Sequence, residues 1–326
     1  MGMCIALRNL LMGGLLLVTA DSYAGDGHAV SLDWLKTVAF AAHQTEYSGV
    51  FVYQYDNRVE TFRITHVVEP DSEYERLESL DGPRREIIRH HGQVWWYANQ
   101  KMTQMSCPQT RNRFPSLLPE QLSTLSENYQ ARDAGMERVA GYNTQAILFQ
   151  PNDNLRYIHK IWIHTDSGLL LKAAVLRNKN QIIEQYAFTQ LQISGDIDHS
   201  WIKPGTSEGL RAGPPTPEPA TGSTPVNSGW TVGALPAGFK KTMEILRPMP
   251  GKQALVTQLV FSDGLSAISI FIEPPDEDED YVEGLSSRGA VSLYHKVING
   301  HLINVVGDVS PRAVIQVLDS VRYNGK

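Results

Sequence analysis

Residues 203–228 divide this chain. Between Lys203 and Ser228 lie six prolines (204, 214, 215, 217, 219, 225) and four glycines (205, 209, 213, 222), with few large apolar side chains. Such a stretch cannot bury enough surface to offset the entropy lost on ordering, so it reads as a linker. As a flexible coil it separates its ends by roughly 30 Å. Two units follow, 25–202 and 229–326, each long enough to bury its own core.

Residues 1–24 read as an address. Arg8 stands in a short polar segment, Leu10 to Ala20 form an apolar run of signal-peptide length, and Ser22-Tyr23-Ala24 places small residues at −3 and −1 of a cleavage site. The run ends at Asp21, short of the 20 or so apolar residues a membrane span needs. The expectation is a leader cut after Ala24 and an exported, soluble mature chain. Cys4 then leaves with the leader and Cys107 remains alone, so no internal disulfide can form.

The first unit opens with a helix: Ser31 can cap it, and Leu32, Leu35, Val38, Ala39 and Ala42 share one face. Strand text follows from Gly49. Val50 to Tyr55 is β-branched and aromatic, and Phe62, Ile64, His66 and Val68 alternate with polar neighbours. Further strands are predicted at 73–80, 84–91, 93–98, 144–150, 156–164, 169–177 and 181–193. Leu117, Leu118, Leu122 and Leu125 interrupt them with one or two short helices. The pattern describes a strongly curved antiparallel sheet with helices over one face. In the second unit Asp263-Gly264 and Asn299-Gly300 each join two apolar strands, a strong hairpin signal. Ser310-Pro311 then starts a helix whose Val314, Ile315, Val317, Leu318 and Val321 share a face. The fold class is α+β throughout.

The composition and motifs exclude several classes of function. Net charge is −6 and no Lys/Arg block reaches five residues, so no basic surface for nucleic acid is written. There is no G-x-S-x-G elbow, phosphate loop or dinucleotide fingerprint. His90-His91 and the pair His159/His164 point to opposite faces of their strands and cannot chelate one metal. The acidic run 276–280 lacks the glycine and terminal carboxylate of a calcium loop and reads as solvated. No cofactor, metal or catalytic residue is expected. Cys107 reads as an unpartnered thiol; only fast reaction with thiol probes would favour a secreted hydrolase. The aromatic text of the first unit, Phe51, Tyr53, Tyr55, Phe62, Trp95, Trp96, Tyr97 and Trp162, is partly core. On an open curved sheet, part of it can line an apolar cleft suited to acyl chains.

Certain residues resemble a known family. The stretch from Gln258 to Glu273, Gln-Leu-Val-Phe-Ser-Asp-Gly-Leu-Ser-Ala-Ile-Ser-Ile-Phe-Ile-Glu, resembles the C-terminal hairpin of the RseB/MucB family of periplasmic sigma-E regulators. Gly229-Trp230, Leu235-Pro-Ala-Gly-Phe239, Gly289-Ala290 and Asn304-Val-Val-Gly307 fit the same family, as do Tyr47-Ser-Gly49, Gly92-Gln-Val-Trp95 and Phe114-Pro-Ser-Leu-Leu118. The resemblance implies a large domain similar to the lipoprotein carriers LolA and LolB, a half-open antiparallel β-barrel with a helical lid. The smaller domain is a sheet with a C-terminal helix. It implies a negative regulator that binds the periplasmic domain of a single-span anti-sigma factor and shields it from proteolysis. Lipopolysaccharide or lipoprotein acyl chains would release that partner. The long Pro-rich linker departs from the family pattern. On this reading Phe51, Tyr53, Phe62, Ile64, Trp96, Leu117 and Leu118 contact lipid, and Phe261, Ser262, Asp263, Gly264, Leu265 and Ser266 contact the protein partner. A homodimer is left open. The alternative reading is a lipid or lipoprotein carrier without a signalling partner.

Overall fold

The computed structural model describes residues 32–70, 72–90, 93–98, 101–106, 113–119, 122–179, 181–202, 224–249, 254–275 and 281–324. The leader, Ser31, His91, Cys107, most of the linker and the acidic run 276–280 lie outside them.

Alternation of apolar and polar residues dictates one large sheet. After α1 (Leu32–Gln44), a meander runs through β1 (Tyr47–Tyr55), β2 (Arg58–Glu69), β3 (Ser72–Ser79), β4 (Arg85–His90), β5 (Gln93–Ala98) and β6 (Lys101–Ser106). Beyond the short α2 (Ser123–Asn128), a second meander runs through β7 (Tyr129–Val139), β8 (Tyr142–Pro151), β9 (Ile158–His164), β10 (Leu170–Asn178) and β11 (Gln181–Ile193). The two join where β1 pairs with β11, giving the order β6-β5-β4-β3-β2-β1-β11-β10-β9-β8-β7. The join is close: a Cβ on Gly49 would lie 2.6 Å from the Gln190 carbonyl oxygen, so only glycine fits there. The sheet curls strongly, for the Tyr142 hydroxyl on β8 donates to the Leu191 carbonyl on β11 at 3.1 Å, across two intervening strands.

The curl stops short of closure. β6 and β7 remain the two edges of an open, curled antiparallel sheet, and no closed barrel forms among the described residues. Among the described residues the lid carries one short α-helix, Ser123–Asn128, and before it Arg113 and Ser116 bridge across a turn. Leu35, Val38, Ala39 and Ala42 of α1, with Phe114, Leu118, Leu122 and Leu125 of the lid, are buried in one core with Tyr47, Phe51 and Phe188 of the sheet. Each large apolar side chain so buried contributes about 1.5–3 kcal/mol. The opposite face has a smaller cluster, where Val67 meets Ile197 and Trp201.

The second unit begins inside the predicted linker. β12 (Thr224–Pro225) pairs with β14 (Lys240–Arg247), and Ser228 donates from both its backbone N–H and its hydroxyl to Glu244, each at 2.7 Å. β15 (Val256–Ser262), β16 (Ala267–Glu273), β17 (Gly284–Arg288), β18 (Val291–Ile298) and β19 (His301–Gly307) complete a sheet ordered β12-β14-β15-β16-β19-β18-β17. β13 (Trp230–Val232) pairs separately with β20 (Val321–Tyr323). Both hairpins form where Asp-Gly and Asn-Gly predict them; Asn299 and Gly300 both take positive φ, as a tight two-residue turn requires. α3 (Pro311–Asp319) buries Ala313, Val314, Val317 and Leu318 on this sheet. Ser310 precedes α3 but makes no side-chain cap. Its backbone N–H donates to Leu155 at 3.0 Å and its hydroxyl to Asn154 at 3.3 Å, both in the first unit.

Candidate functional site: an aromatic hollow and an interdomain seam

Cross-strand partners share a face, so the register locates the hollow. Phe188, Phe51 and Phe62 lie opposite one another across β11, β1 and β2. One step along, Ile64, Leu77, Ile87 and Trp96 form a second row across β2 to β5. Tyr53 is two residues on from Phe51 and points the same way. The five sheet residues named as lipid candidates, Phe51, Tyr53, Phe62, Ile64 and Trp96, therefore occupy one face. Phe51 stacks on Phe62 at 5.5 Å and meets Phe114 of the lid at 5.2 Å; Tyr53 stacks on Tyr186 at 4.4 Å. Phe51, Ile64 and Leu118 are buried, whereas Tyr53, Phe62 and Leu117 are half-buried. Trp96 is 43% exposed. The face thus passes from a filled core beneath Phe114 and Leu118 to an open apolar floor at Trp96.

A polar rim fixes the lid. The His43 Nε2 lies 2.9 Å from the Ser116 hydroxyl, and its Nδ1 lies 3.0 Å from Glu73. His66 approaches the same carboxylate at 3.5 Å. Hydrogen bonds from His43 and then His66 hold the Glu73 carboxyl down at about 2. Among the described residues no group of three or more His, Cys, Asp or Glu side chains could hold a metal ion.

The second feature lies between the two sheets. The tip of the β15–β16 hairpin carries Asp263, whose carboxylate divides its work. One oxygen accepts from the backbone N–H groups of Leu265 (3.0 Å) and Ser266 (2.8 Å), shaping the turn. The other accepts from the Tyr129 hydroxyl (2.9 Å) and Arg156 Nε (2.7 Å), both in the first unit. Arg156 also donates to Asp153 and to the Ala237 carbonyl, and its guanidinium lies over the rings of Tyr129 and Phe239. The apolar contacts are exchanged: Leu265 packs against the core of the first unit, and Leu155 against that of the second. Gly238 sits so close to Asn128 that an added Cβ would lie 2.0 Å from its amide nitrogen.

A second clamp uses the turn after β17. The backbone N–H of Gly289 donates to Asp56 at 3.1 Å and that of Ala290 to Glu184 at 3.1 Å. Arg288 donates to the Tyr55 hydroxyl and lies over its ring at 4.8 Å. Burial pushes the Glu184 carboxyl up from its ordinary range.

The candidate partner residues all fall at or behind this seam. Phe261 is in the core of the second unit, Asp263 and Ser266 are buried, and Ser262, Gly264 and Leu265 are half-buried. The Ser262 hydroxyl donates to the Ser266 carbonyl and accepts from Gly264 N–H, closing the tip. Sequence reasoning missed their counterparts Asn128, Tyr129, Leu155 and Arg156. The available signal was Leu155-Arg156 directly after the polar turn Asn152-Asp153-Asn154, an apolar residue and an arginine that a solvated loop does not require.

An aromatic sheet face partly covered by a lid, with a second module clamped beside it through buried polar groups, is the architecture of a two-domain binding protein. Residues 31–206 match the model of the MucB/RseB N-terminal domain, and residues 224–322 that of the MucB/RseB C-terminal domain. The chain belongs to the MucB/RseB family. It is 31% identical over 321 residues to the sigma factor AlgU regulatory protein MucB of Pseudomonas aeruginosa, covering 96% of each chain. It is 22% identical over 318 residues to the sigma-E factor regulatory protein RseB of Escherichia coli, again covering 96% of each. Among solved structures, MucB in complex with MucA(peri) superposes with a TM-score of 0.72 at 28% identity, covering 90% of this chain and 99% of that one.

Proposed function

We propose that this protein is a periplasmic negative regulator of a sigma-E-type envelope stress response. It holds the periplasmic segment of a single-span anti-sigma factor, shields it from proteolysis, and lets it go when acyl chains of lipopolysaccharide or lipoprotein enter the hollow of the first domain. The observation that carries the reading is the likeness, over nine-tenths of this chain, to MucB crystallised with MucA(peri). The lipid half rests on the aromatic face that runs out from under the lid to Trp96, an arrangement also suited to a LolA-like carrier. Ligand can shift the balance between partner-bound and lipid-bound forms only through its different affinity for the two. The hairpin 261–266 serves the partner surface through the seam it closes, because Asp263 and Leu265 face the first domain while Phe261 anchors the hairpin in the second.

The test is reconstitution. Pull-down from membrane extract should return one single-span protein with a short cytoplasmic head. Its periplasmic segment should resist cleavage in the presence of this chain and lose that protection when lipopolysaccharide is added. Leu117→Asp and Trp96→Ser, at half-buried and exposed positions, should keep protection and blunt its loss. Recovery of lipoproteins alone would favour the carrier. Unchanged lipid response in both variants would refute the assignment of the hollow.

A further inference from the structure

The lid and the hairpin tip are in contact, and this joins the lipid hollow to the second domain. On its inner side the lid fills the hollow: Phe114 meets Phe51 at 5.2 Å and Phe188 at 5.1 Å, and Leu118 is buried in the same core. Directly after Leu118 in the chain, Pro119 forms the seat of the hairpin. A Cβ placed on Gly264 would lie 3.0 Å from Pro119 Cγ and 3.4 Å from Leu125 Cδ2. Gly264 has φ of +102°, so the tip meets this seat with bare backbone in a conformation other residues rarely adopt. Next to it, Leu265 reaches into the core that the lid helps to fill. An acyl chain entering along Trp96 and Phe62 must displace Phe114 and Leu118, and covalent continuity carries Pro119 with them.

We propose that the hairpin tip 262–266 reads the position of the lid, seated while the lid is closed and unseated when an acyl chain holds it open. The inference rests on the lipid reading above and supplies its transmission step. A ligand that favours the open lid thereby disfavours the docked domains, and by reciprocity docking weakens ligand binding by the same factor.

The seat also supplies the test. The Cβ built on Gly264 lies 3.5 Å from Pro119 Cβ, at the short end of the range of about 3.5–4.5 Å spanned by a disulfide. In the full chain with Cys4→Ser and Cys107→Ser, the pair Pro119→Cys and Gly264→Cys should cross-link on oxidation. Binding of dansyl-undecanoic acid should then weaken by about tenfold, within the usual span of couplings between sites, and recover on reduction. The companion Leu265→Ser, which withdraws the tip's apolar side chain from the core it shares with the lid, should bind the probe about fivefold more tightly. Equal binding by oxidised and reduced forms would overturn the latch and leave the lipid reading standing. So would a pair that stays uncross-linked without ligand, or a Leu265→Ser chain with unchanged or weaker affinity. No binding by the unmodified chain would remove the lipid reading and the latch together.

Discussion

Asp263→Asn separates the two duties of one carboxylate. The amide retains the oxygen that accepts from Leu265 and Ser266, so the turn survives. Its other end becomes a donor facing two donors, the Tyr129 hydroxyl at 2.9 Å and Arg156 Nε at 2.7 Å. The Arg156 side chain is 1% exposed and that of Asp263 is fully buried, so solvent cannot take over the lost contact. Removing one partner of a buried pair costs about 3–5 kcal/mol. Asp153 and the Ala237 carbonyl remain on Arg156, which places the expected cost near the lower end, about 3 kcal/mol. That is a large part of the roughly 5–15 kcal/mol that holds an ordinary domain folded. Scanning calorimetry should show one transition in the parent splitting into two as the second domain loses its dock. Arg156→Met should do the same. The double variant Asp263→Leu/Arg156→Met should recover part of the loss, because no charge is then left buried. If Asp263→Asn stays within about 0.5 kcal/mol of the parent, with a single transition, the carboxylate is only a turn residue and the seam is not what docks the domains.

Three further perturbations probe the same framework. Burial holds His159 neutral, with its pKa lowered to about 4 against an ordinary 6.5; the unfolded chain binds that proton first, so the unfolding free energy from urea titrations should fall as pH drops from 6.5 to 4 at about 1.4 kcal/mol per pH unit and flatten over that window in His159→Phe. Glu73, lowered to about 2, extends the loss below pH 4.5, because its charged form is the one the fold stabilises; Glu73→Gln should remove that lower part of the curve, and an unaltered curve would contradict the His43 and His66 contacts. Gly49→Ala must push the Gln190 carbonyl or the Phe188 ring, and should cost about 1–3 kcal/mol in equilibrium denaturation, a neutral result refuting the close approach of β1 and β11.

What the sequence shows clearly is what local periodicity controls. The helix Leu32–Gln44, both hairpins of the second domain and the helix Pro311–Asp319 follow from residue spacing and turn chemistry. The missed strands have physical reasons. β7 is an edge strand whose alternation is interrupted by a bulge between Asp133 and Met136, and most of its side chains are exposed. β14 opens Lys-Lys-Thr, and β17 reads Gly-Leu-Ser-Ser-Arg; both take their place from neighbouring strands more than from their own apolar content. Alternation along β1, β2 and β5 grouped the named aromatics, but which face the lid covers follows only from the register and from a core that buries both faces of β2 between Ile64 and Val67. The seam was not. Asp263-Gly264 satisfies every local criterion for a turn, and nothing nearby in sequence indicates that half the carboxylate is committed to Arg156, 107 residues earlier.

The chemistry of that seam bears on how such a molecule can open. A large apolar interface would tie the domains together through dehydration alone, and separating them would expose greasy surface on both. Here the apolar contacts are Leu265 in one direction, Leu155 in the other and Ala290 buried beside Tyr157 and Ile183, and between them lie a carboxylate, a guanidinium, a phenol and backbone groups. A buried ion pair of this kind roughly breaks even against an apolar replacement, because the charges regain water when they part. Docking is therefore specific without being deep. The two leucines fix where the domains meet, the Asp263–Arg156 pair penalises any partly shifted arrangement that leaves a charge buried and alone, and full separation remains accessible. The docked and separated states are thereby favoured over those between.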